Sequence, residues 1–297
     1  MDRLDAMSTF VAVVEAGSLS AAARRLNTPL ATVSRNVSEL ESHLRTKLFN
    51  RSSRKLVLTD AGSSYVAACK RILADVREAE RAASGEYSAP TGELIVTAPI
   101  GLGRLYLIPI LADFLKAYPD IKVSLILTDR VLSLFEEQID VALRLGALSD
   151  SSMIAIRVGA IRRMICASPA YLAARGTPRT PDDLARHDCI TTGLVSPDVW
   201  TFVRDKTTVA IPVHARLVVG TAEVACDAAC AGIGITSVFS YHIQAALERG
   251  ALTSLLDEFQ PATLPVNLVY TASRFLPIKM RAFLDFAAPR LRQVFAQ

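Results

Sequence analysis

The chain has 297 residues, of which 51% are hydrophobic and 21% are charged, and this composition excludes an intrinsically disordered polypeptide and a disulfide-stabilised miniprotein. The length corresponds to about two ordinary domains. The net charge is +4, and residues 1–60 carry most of it, with nine basic against six acidic side chains. This bias is compatible with a polyanion-binding N-terminal part, but it is too small to identify one.

The first forty residues predict a helix-turn-helix. Apolar residues recur at spacings of three and four along the first helix, which ends at Gly17: Leu4, Met7, Phe10, Val11 and Val14. Ser18 is expected to cap a short second helix. Thr28 is expected to cap a third helix with Pro29 at its first position. Two helices joined by a tight turn predict the motif over about residues 19–38.

Residues 47–59 predict a two-stranded wing, because apolar residues flank a tip of cations and hydroxyls. Arg51, Ser53 and Arg54 belong to this tip, and such groups suit phosphate oxygens and a minor groove. A segment of this kind standing alone would be interpreted as a solvated hairpin. Because it follows a helix-turn-helix, DNA contact is the favoured interpretation.

A long helix is predicted next, capped by Asp60 and continuing to about residue 83. Its apolar residues alternate at spacings of three and four, which indicates a coiled-coil seam: Ala61, Tyr65, Ala68, Ile72, Val76, Ala79 and Ala83. Pairing with a second copy would place two reading heads side by side. Packing of the seam against its own domain is the alternative. Residues 84–92, rich in Ser, Gly and Pro, are predicted to be the domain linker.

Beyond residue 92, short apolar runs alternate with helical stretches, which predicts an α/β domain with a parallel sheet and ligand sites at the carboxyl ends of its strands. The predicted strands are 94–98, 123–127, 141–145, 164–167, 235–238 and 266–270. The predicted helices are 105–118, 131–138, 169–175, 181–185, 221–231, 241–249 and 278–295. Two clusters of strands indicate two subdomains that flank a cleft.

No cofactor, metal or membrane contact is expected. Cys226 and Cys230 lie four residues apart on a predicted helix and would suit a metal or redox site, but the chain has no CxxC and buried apolar thiols are the favoured alternative. The uncharged stretch 228–247 is interrupted by Gly, Ser, Thr and His, so it is not a membrane span. The N-terminus lacks a signal pattern, and a cytoplasmic location is expected.

Several separate segments resemble the LysR-type transcriptional regulators. Residues 7–62 resemble the N-terminal signature of that family, from MSTFVAVVEAGSLSAAARRLNTPLATVSRNVSELE through LFNRSSRKLVLTDAG. Residues 91–146, 167–190, 228–236 and 264–286 resemble its effector domain. The resemblance implies a winged helix-turn-helix, a linker-helix dimer and a C-terminal domain folded like periplasmic solute-binding proteins. It also implies a tetramer, double-stranded operator DNA, a small-molecule effector and RNA polymerase as partners.

The resemblance implies DNA contacts from the recognition helix and the wing. Relatives often begin this helix with Ser-Gln-Pro, whereas this chain has Pro29, Leu30 and Ala31, so a glutamine that commonly reads a base is absent. Leu30 could contact thymine methyl groups or pack against the turn. The complete predicted set is Leu30, Thr32, Ser34, Arg35, Asn36, Arg51, Ser53 and Arg54.

The resemblance places an effector in the inter-subdomain cleft, where helix N-termini would favour an anion. The implied residues are Pro99, Ile100, Gly101, Thr128, Asp129, Arg144, Gly146, Thr191, Thr192, Thr221 and Ala222. Many relatives carry Ser or Thr where this chain has Pro99, so one hydroxyl is missing and a less polar ligand, or none, stays open. Arg144 could bind the effector, and a salt bridge to Asp140 is the alternative.

The predicted architecture is α + α/β: a winged helix-turn-helix (1–59), a linker and dimerisation helix with its hinge (60–90), and a two-subdomain, type 2 periplasmic-binding-protein-like effector domain (91–297). Subdomain 1 is expected over 91–161 and 267–297, and subdomain 2 over 162–266. The predicted function is sequence-specific transcriptional regulation under effector control. The alternative is an enzyme or solute-binding protein with a fused helical interaction domain, but GxSxG, HExxH and GxxxxGK[ST] motifs are absent.

Overall fold

The computed structural model describes residues 2–51, 56–83, 89–146, 153–193, 199–272 and 276–296. The chain folds as two units, Met1–Ala89 and Pro90–Gln297. The first unit contains, in chain order, α1 (Arg3–Ala16), α2 (Leu19–Arg25), α3 (Leu30–Leu44), β1 (Phe49–Arg51), β2 (Leu56–Leu58) and α4 (Asp60–Ala83). This order confirms the predicted helix-turn-helix, wing and long helix.

Local caps set the helix bounds in the first unit. Ser18 caps α2 as predicted, since its Oγ accepts from the backbone nitrogen of Ala21 at 3.2 Å. Thr28 does not cap α3, and that prediction was wrong. Its backbone nitrogen closes the end of α2 by donating to the Ala23 carbonyl, 3.0 Å away, and its hydroxyl donates to the Leu26 carbonyl.

The beginning of α4 also differs from the prediction. Asp60 is the first helical residue, and the cap is Thr59, whose Oγ1 accepts from the backbone nitrogen of Gly62 at 2.9 Å. Asp60 still favours the helix, because a carboxylate in the first turn complements the helix dipole. Side chains of α4 join the core of this unit: Cys69 is buried, and the Tyr65 ring lies 5.8 Å from that of Phe10.

The second unit begins with a mixed sheet of strand order β4-β3-β5-β14-β6. We call this sheet and its helices the first lobe: β3 (Gly92–Ala98), α5 (Ile100–Leu102), a π-helical turn (Gly103–Leu107), α6 (Ile108–Ala117), β4 (Ile121–Leu127), β5 (Val141–Leu145), β6 (Met153–Ile161), β14 (Leu264–Thr271) and α10 (Ile278–Phe295). Strand β3 runs parallel to β4 and β5, whereas β14 runs antiparallel to β5 and β6.

A second sheet has the strand order β11-β8-β12-β7-β13. We call it and its helices the second lobe: β7 (Arg163–Ala167), α7 (Pro169–Arg175), a 3-10 turn (Pro181–Arg186), β8 (Cys189–Thr192), β11 (Ala215–Val219), α8 (Ala222–Cys230), β12 (Ile235–Phe239), α9 (Ser240–Glu248), β13 (Thr253–Leu255) and a 3-10 turn (Asp257–Phe259). A separate hairpin joins β9 (Val199–Arg204) to β10 (Thr207–Pro212). Both sheets are mixed: the predicted parallel pairing is found between β3, β4 and β5 and between β8, β11 and β12, and the other pairs are antiparallel.

The predicted helix over residues 131–138 is also absent, and turns occupy this segment. Val131 and Phe135 are 84% and 83% exposed, and Leu134 is the residue of the pattern that is buried. A helix gains most of its stability from packing an apolar face. Here the helical spacing is present, but only Leu134 and Leu132 pack into a small core, with Ile139 and Ala142, while Val131 and Phe135 face solvent.

Candidate functional site

The outer face of α3 presents side chains that are free to meet a ligand. Val33, Val37 and Leu40 are buried, and helical periodicity turns Arg35 away from that core. The Arg35 side chain is 68% exposed and has a loose 4.0 Å pair with Glu39. Leu30 lies three residues before Val33, on the same side of the helix, but it is the first residue of α3 and is 49% exposed. Its base contact stays a prediction. Thr32 and Ser34 are partly exposed on the same helix.

Asn36 differs from its neighbours on α3. Its Nδ2 donates to Asp5 Oδ2 at 3.1 Å and to Thr9 Oγ1 at 3.2 Å. Both acceptors belong to α1, so this amide fastens the third helix to the first. Base recognition by Asn36 would have to compete with these bonds, and its DNA contact stays a prediction.

The wing pairs β1 with β2 in antiparallel register, Phe49 opposite Leu58 and Arg51 opposite Leu56. Arg51 therefore ends the first strand at the tip. The predicted contacts Ser53 and Arg54 lie outside the described residues, as does the linker segment 84–88.

A cleft of about 530 Å³ lies between the two lobes of the second unit. Several predicted effector residues line it: Pro99, Thr128, Asp129, Arg144, Thr192, Thr221 and Ala222. Asp129 accepts from the backbone nitrogen of Ile100 at 3.1 Å, so the carboxylate caps the first turn of α5. The other predicted residues, Ile100, Gly101, Gly146 and Thr191, are not among the residues that line it.

Arg144 contacts the wall of the cleft. Its Nη2 donates to the Leu132 carbonyl, and its Nη1 lies 3.9 Å from Met153 Sδ. Asp140, the alternative partner weighed for Arg144, accepts from the Ile95 backbone nitrogen at 2.8 Å and lies 3.6 Å from Lys279 Nζ. These contacts hold the side chains of Arg144 and Asp140 in place.

Six lining residues from β7, β12 and α9 are not among those predicted from the sequence: Arg163, Ser237, Val238, Phe239, Tyr241 and His242. Cross-strand pairing of Phe239 with Arg163 brings two of them together. The signal that could have found Arg163 is a cation directly before the buried strand residues 164–167. Such a charge at a strand end is a candidate ligand group.

The lobes meet closely at Gly101. A methyl group added there would lie 2.7 Å from Tyr241 Cε2, 2.9 Å from His242 Nε2 and 3.0 Å from Glu223 Oε1. His242 is buried, and burial lowers the pKa of its imidazole although the nearby Glu223 carboxylate acts in the opposite direction. The imidazole is therefore neutral near pH 7 and stacks beside Tyr241, with ring centres 4.0 Å apart.

Gly101→Ala is expected to destabilise the second unit by about 1 to 3 kcal/mol, because the new methyl group overpacks a buried contact between the lobes. Gly220→Ala is the matched control, since a Cβ there meets no atom within 4 Å. Thermal unfolding of the two variants checks this. Equal melting temperatures would show that the lobes are not held together at Gly101.

No group of three His, Cys, Asp or Glu side chains suited to a metal ion occurs in the part of the chain that the structure describes. Cys226 is buried and Cys230 is partly buried, and both are free thiols. None of the described helices is by itself long and apolar enough to cross a membrane. By length and composition alone, α1 and α2 pass that test together, as a pair bent by 112°.

Two family models together match most of the chain. "Bacterial regulatory helix-turn-helix protein, lysR family" matches residues 4–63, and "LysR substrate binding domain" matches residues 88–292. The first match covers α1 to the beginning of α4. The second covers both lobes and the cleft.

Curated relatives and solved structures agree with these matches. An HTH-type transcriptional repressor of Pseudomonas aeruginosa is 36% identical over 96% of this chain and 91% of its own length. The Escherichia coli HTH-type transcriptional activator AaeR is 33% identical over 96% of this chain and 93% of its own length. The structure of CrgA from Neisseria meningitidis, a LysR-type transcriptional regulator, has a TM-score of 0.62 at 32% identity, covering 97% of this chain and 98% of that one. The chain therefore belongs to the LysR family of bacterial transcriptional regulators.

Proposed function

We propose that α3 and the wing of this regulator recognise an operator, and that the inter-lobe cleft binds the effector that controls it. The proposal is supported by the exposed face of α3, where Arg35 points away from the buried core, and by the half-exposed Leu30 at the first turn. Arg35 is the polar reader, because a guanidinium can donate two hydrogen bonds to one guanine. Thr32, Ser34 and Asn36 complete the recognition helix, and Arg51, Ser53 and Arg54 hold phosphates from the wing.

The proposed effector site consists of the predicted residues that line the cleft, together with Ile100, Gly101, Gly146 and Thr191. Its volume of about 530 Å³ lies within the range of small-molecule sites, about 300 to 1,000 Å³. The named relatives are transcriptional regulators, and we therefore propose binding, rather than catalysis, as the role of the cleft. We propose no bound cofactor for this cleft.

The family forms oligomers, and we propose that two copies pair through α4. Ile72 is 36% exposed on this helix although it belongs to the apolar seam, whereas Tyr65 and Cys69 are used by the core of their own unit. Two such dimers would form a tetramer that contacts RNA polymerase at a promoter. Residues 1–59 would then read DNA, 60–90 would join the copies, and 91–297 would sense the effector in the cytoplasm.

Arg35→Ala tests the recognition helix. We expect it to cost about 1 to 3 kcal/mol of specific binding and to relax base preference, because a direct base contact is lost. Arg51→Ala should weaken binding uniformly and reduce the salt dependence, because a phosphate contact is lost. Footprints and salt titrations on genomic fragments selected by the wild-type protein measure both effects.

Arg249→Ala serves as the charge-matched control, because it removes the same charge from the exposed end of α9 in the other unit. Its footprint should equal that of the wild-type protein. If Arg35→Ala changes neither the position of the footprint nor the affinity, α3 is not the element that recognises the operator.

A further inference from the structure

The charges lining the effector cleft are unbalanced, and this inference rests on the proposed sensing role of that cleft. Arg130, Arg144 and Arg163 line it, against a single carboxylate, that of Asp129. His242 adds no charge near neutral pH, because burial lowers the pKa of its imidazole. The lining therefore carries a cationic excess. Arg130 is exposed to solvent and Arg144 donates to the Leu132 carbonyl, which leaves one lining arginine that is partly buried and does not bond to the first lobe.

Arg163 is that cation. It begins β7, and its guanidinium carbon lies 4.5 Å from the centre of the Phe239 ring. Its Nη1 donates to the Ser237 carbonyl at 3.4 Å. Among the residues that the structure describes, no carboxylate lies within ion-pair distance of Arg163. Burial of the side chain lowers the pKa of its guanidinium. A guanidinium has five N–H donors, so most of its donor capacity is available to a ligand.

The acidic side chains nearest to the cleft do not pair with Arg163. Asp129 Oδ1 accepts from the Ile100 backbone nitrogen. Glu223 Oε1 lies 3.8 Å from His242 Nε2 and has no hydrogen-bond partner in the described structure. Neither contact neutralises Arg163. Desolvating a charge without a partner is costly, and an anionic ligand would offset that cost.

Ser237 supplies a second, independent observation. It is 6% exposed, and its Oγ is buried without a hydrogen-bond partner in the described structure. Ser237 and Phe239 are two residues apart on β12, so their side chains share one face of the sheet, and Phe239 pairs with Arg163 across the strands. The unpartnered hydroxyl and the unpaired guanidinium therefore line the same wall of the cleft.

We infer that Arg163 and Ser237 bind the carboxylate of a small organic anion, whose apolar body contacts Phe239 and the aliphatic wall of the cleft. That wall is formed by Leu132, Leu143, Leu145 and Val238. Arg163 supplies charge-assisted hydrogen bonds, which are about twice as strong as neutral ones. Ser237 donates its hydroxyl proton to a carboxylate oxygen. The effector is thus an amphipathic carboxylate rather than a sugar, a cation or a neutral lipid.

The test uses the full-length chain and three carboxylates, phenylacetate, 2-naphthoate and octanoate, each beside its uncharged primary amide. Thermal-shift measurements followed by calorimetry give the affinities. Arg163→Gln should weaken carboxylate binding by about 10- to 100-fold, and Arg163→Lys should retain part of it. Ser237→Ala should weaken binding by about five-fold without lowering the stability of the free protein, since its hydroxyl has no partner to lose.

Arg162→Gln is the matched control, because Arg162 is the exposed neighbour of Arg163 and is not part of the cleft lining. It should bind the carboxylates as the wild-type protein does. The inference is overturned if the amides bind as well as the carboxylates, if Arg163→Gln and Ser237→Ala both keep wild-type affinity, or if none of the carboxylates binds at millimolar concentration.

Failure of this inference and failure of the proposed function give different results. Without added carboxylate, the wild-type protein should still select and bind genomic fragments, and the control Arg162→Gln should bind them as tightly as the wild-type protein. If the proposed function is wrong, the wild-type protein itself selects no DNA, whatever the carboxylates do.

Discussion

A fragment comprising residues 90–297 is expected to fold and to lose all selective DNA binding. The two units have separate hydrophobic cores: one is built from residues between Ala6 and Cys69, and the others lie between Leu94 and Leu291. Every proposed DNA contact belongs to the first unit. Removing the first unit therefore leaves the cores of the effector domain intact and removes every proposed DNA contact.

Circular dichroism melting and footprinting of the fragment measure these two outcomes. A fragment that begins at residue 60 provides the contrast. It retains α4 but loses Phe10, against which Tyr65 and Cys69 pack, so it should expose apolar surface and aggregate. Selective DNA binding by residues 90–297 would refute the division of roles between the units.

The N-terminal helices could be predicted because local chemistry determines them. Gly17 has φ 72° at the end of α1, a left-handed conformation that favours glycine. Ser18 caps the next helix. The predicted end of α4 stays a prediction, because residues 84–88, which follow it, lie outside the described residues. The predicted cap Thr28 was wrong because α3 begins at Leu30 with Pro29 at the cap position, so Thr28 lies one residue too early and its hydroxyl bonds to the Leu26 carbonyl instead.

The sheets could not be predicted with the same success because their pairing is not local. Strand β14 pairs with β5 and β6, more than a hundred residues earlier in the chain, and nothing in its own residues indicates an antiparallel direction. The β9–β10 hairpin turns through Asp205 and Lys206, both with positive φ. The usual signal for such a turn is Asn-Gly or Asp-Gly, and its absence concealed the hairpin.

The residues of the effector cleft were also only partly predictable, because some of them are brought together by long-range strand pairing. Thr128 and Asp129 follow β4 directly, and the family resemblance indicated them as site residues. Arg163 and Ser237 are brought together by the register of β7 against β12, which requires the folded sheet. A strand residue that looks like an ordinary surface cation in the sequence thus becomes the unpaired charge of a cleft.

Glu41→Ala is expected to destabilise the first unit by roughly 2 to 6 kcal/mol, because it leaves two buried amides without acceptors at about 1 to 3 kcal/mol each. Glu41 Oε1 accepts from the backbone nitrogens of Leu48 at 2.9 Å and Phe49 at 3.3 Å, and Oε2 lies 2.8 Å from Lys47 Nζ. The carboxylate thus joins the recognition helix to the first strand of the wing. Its loss should free the wing from α3.

The same contacts predict a pH dependence. Burial alone would raise the pKa of Glu41, but the hydrogen bonds from Lys47, Leu48 and Phe49 together hold it below its ordinary value of 4.5. A carboxyl group with a lowered folded-state pKa stabilises the protein above its unfolded-state pKa, and this contribution is lost as the pH falls through the folded-state pKa. The free energy of unfolding of the first unit should therefore decrease below about pH 4.5 in the wild-type protein and change less in Glu41→Ala.

Glu39→Ala is the matched control on the same helix, since the Glu39 side chain is 44% exposed and only loosely paired with Arg35. Exposed pairs contribute about 0 to 1 kcal/mol, so its unfolding curve at neutral pH should lie close to that of the wild-type protein. Denaturant unfolding of both variants between pH 3 and pH 7 separates the two positions. If Glu41→Ala and Glu39→Ala lose the same stability at neutral pH, the buried carboxylate does not hold the wing to the recognition helix, and the wing must be positioned by the apolar contacts of Leu48 and Phe49 alone.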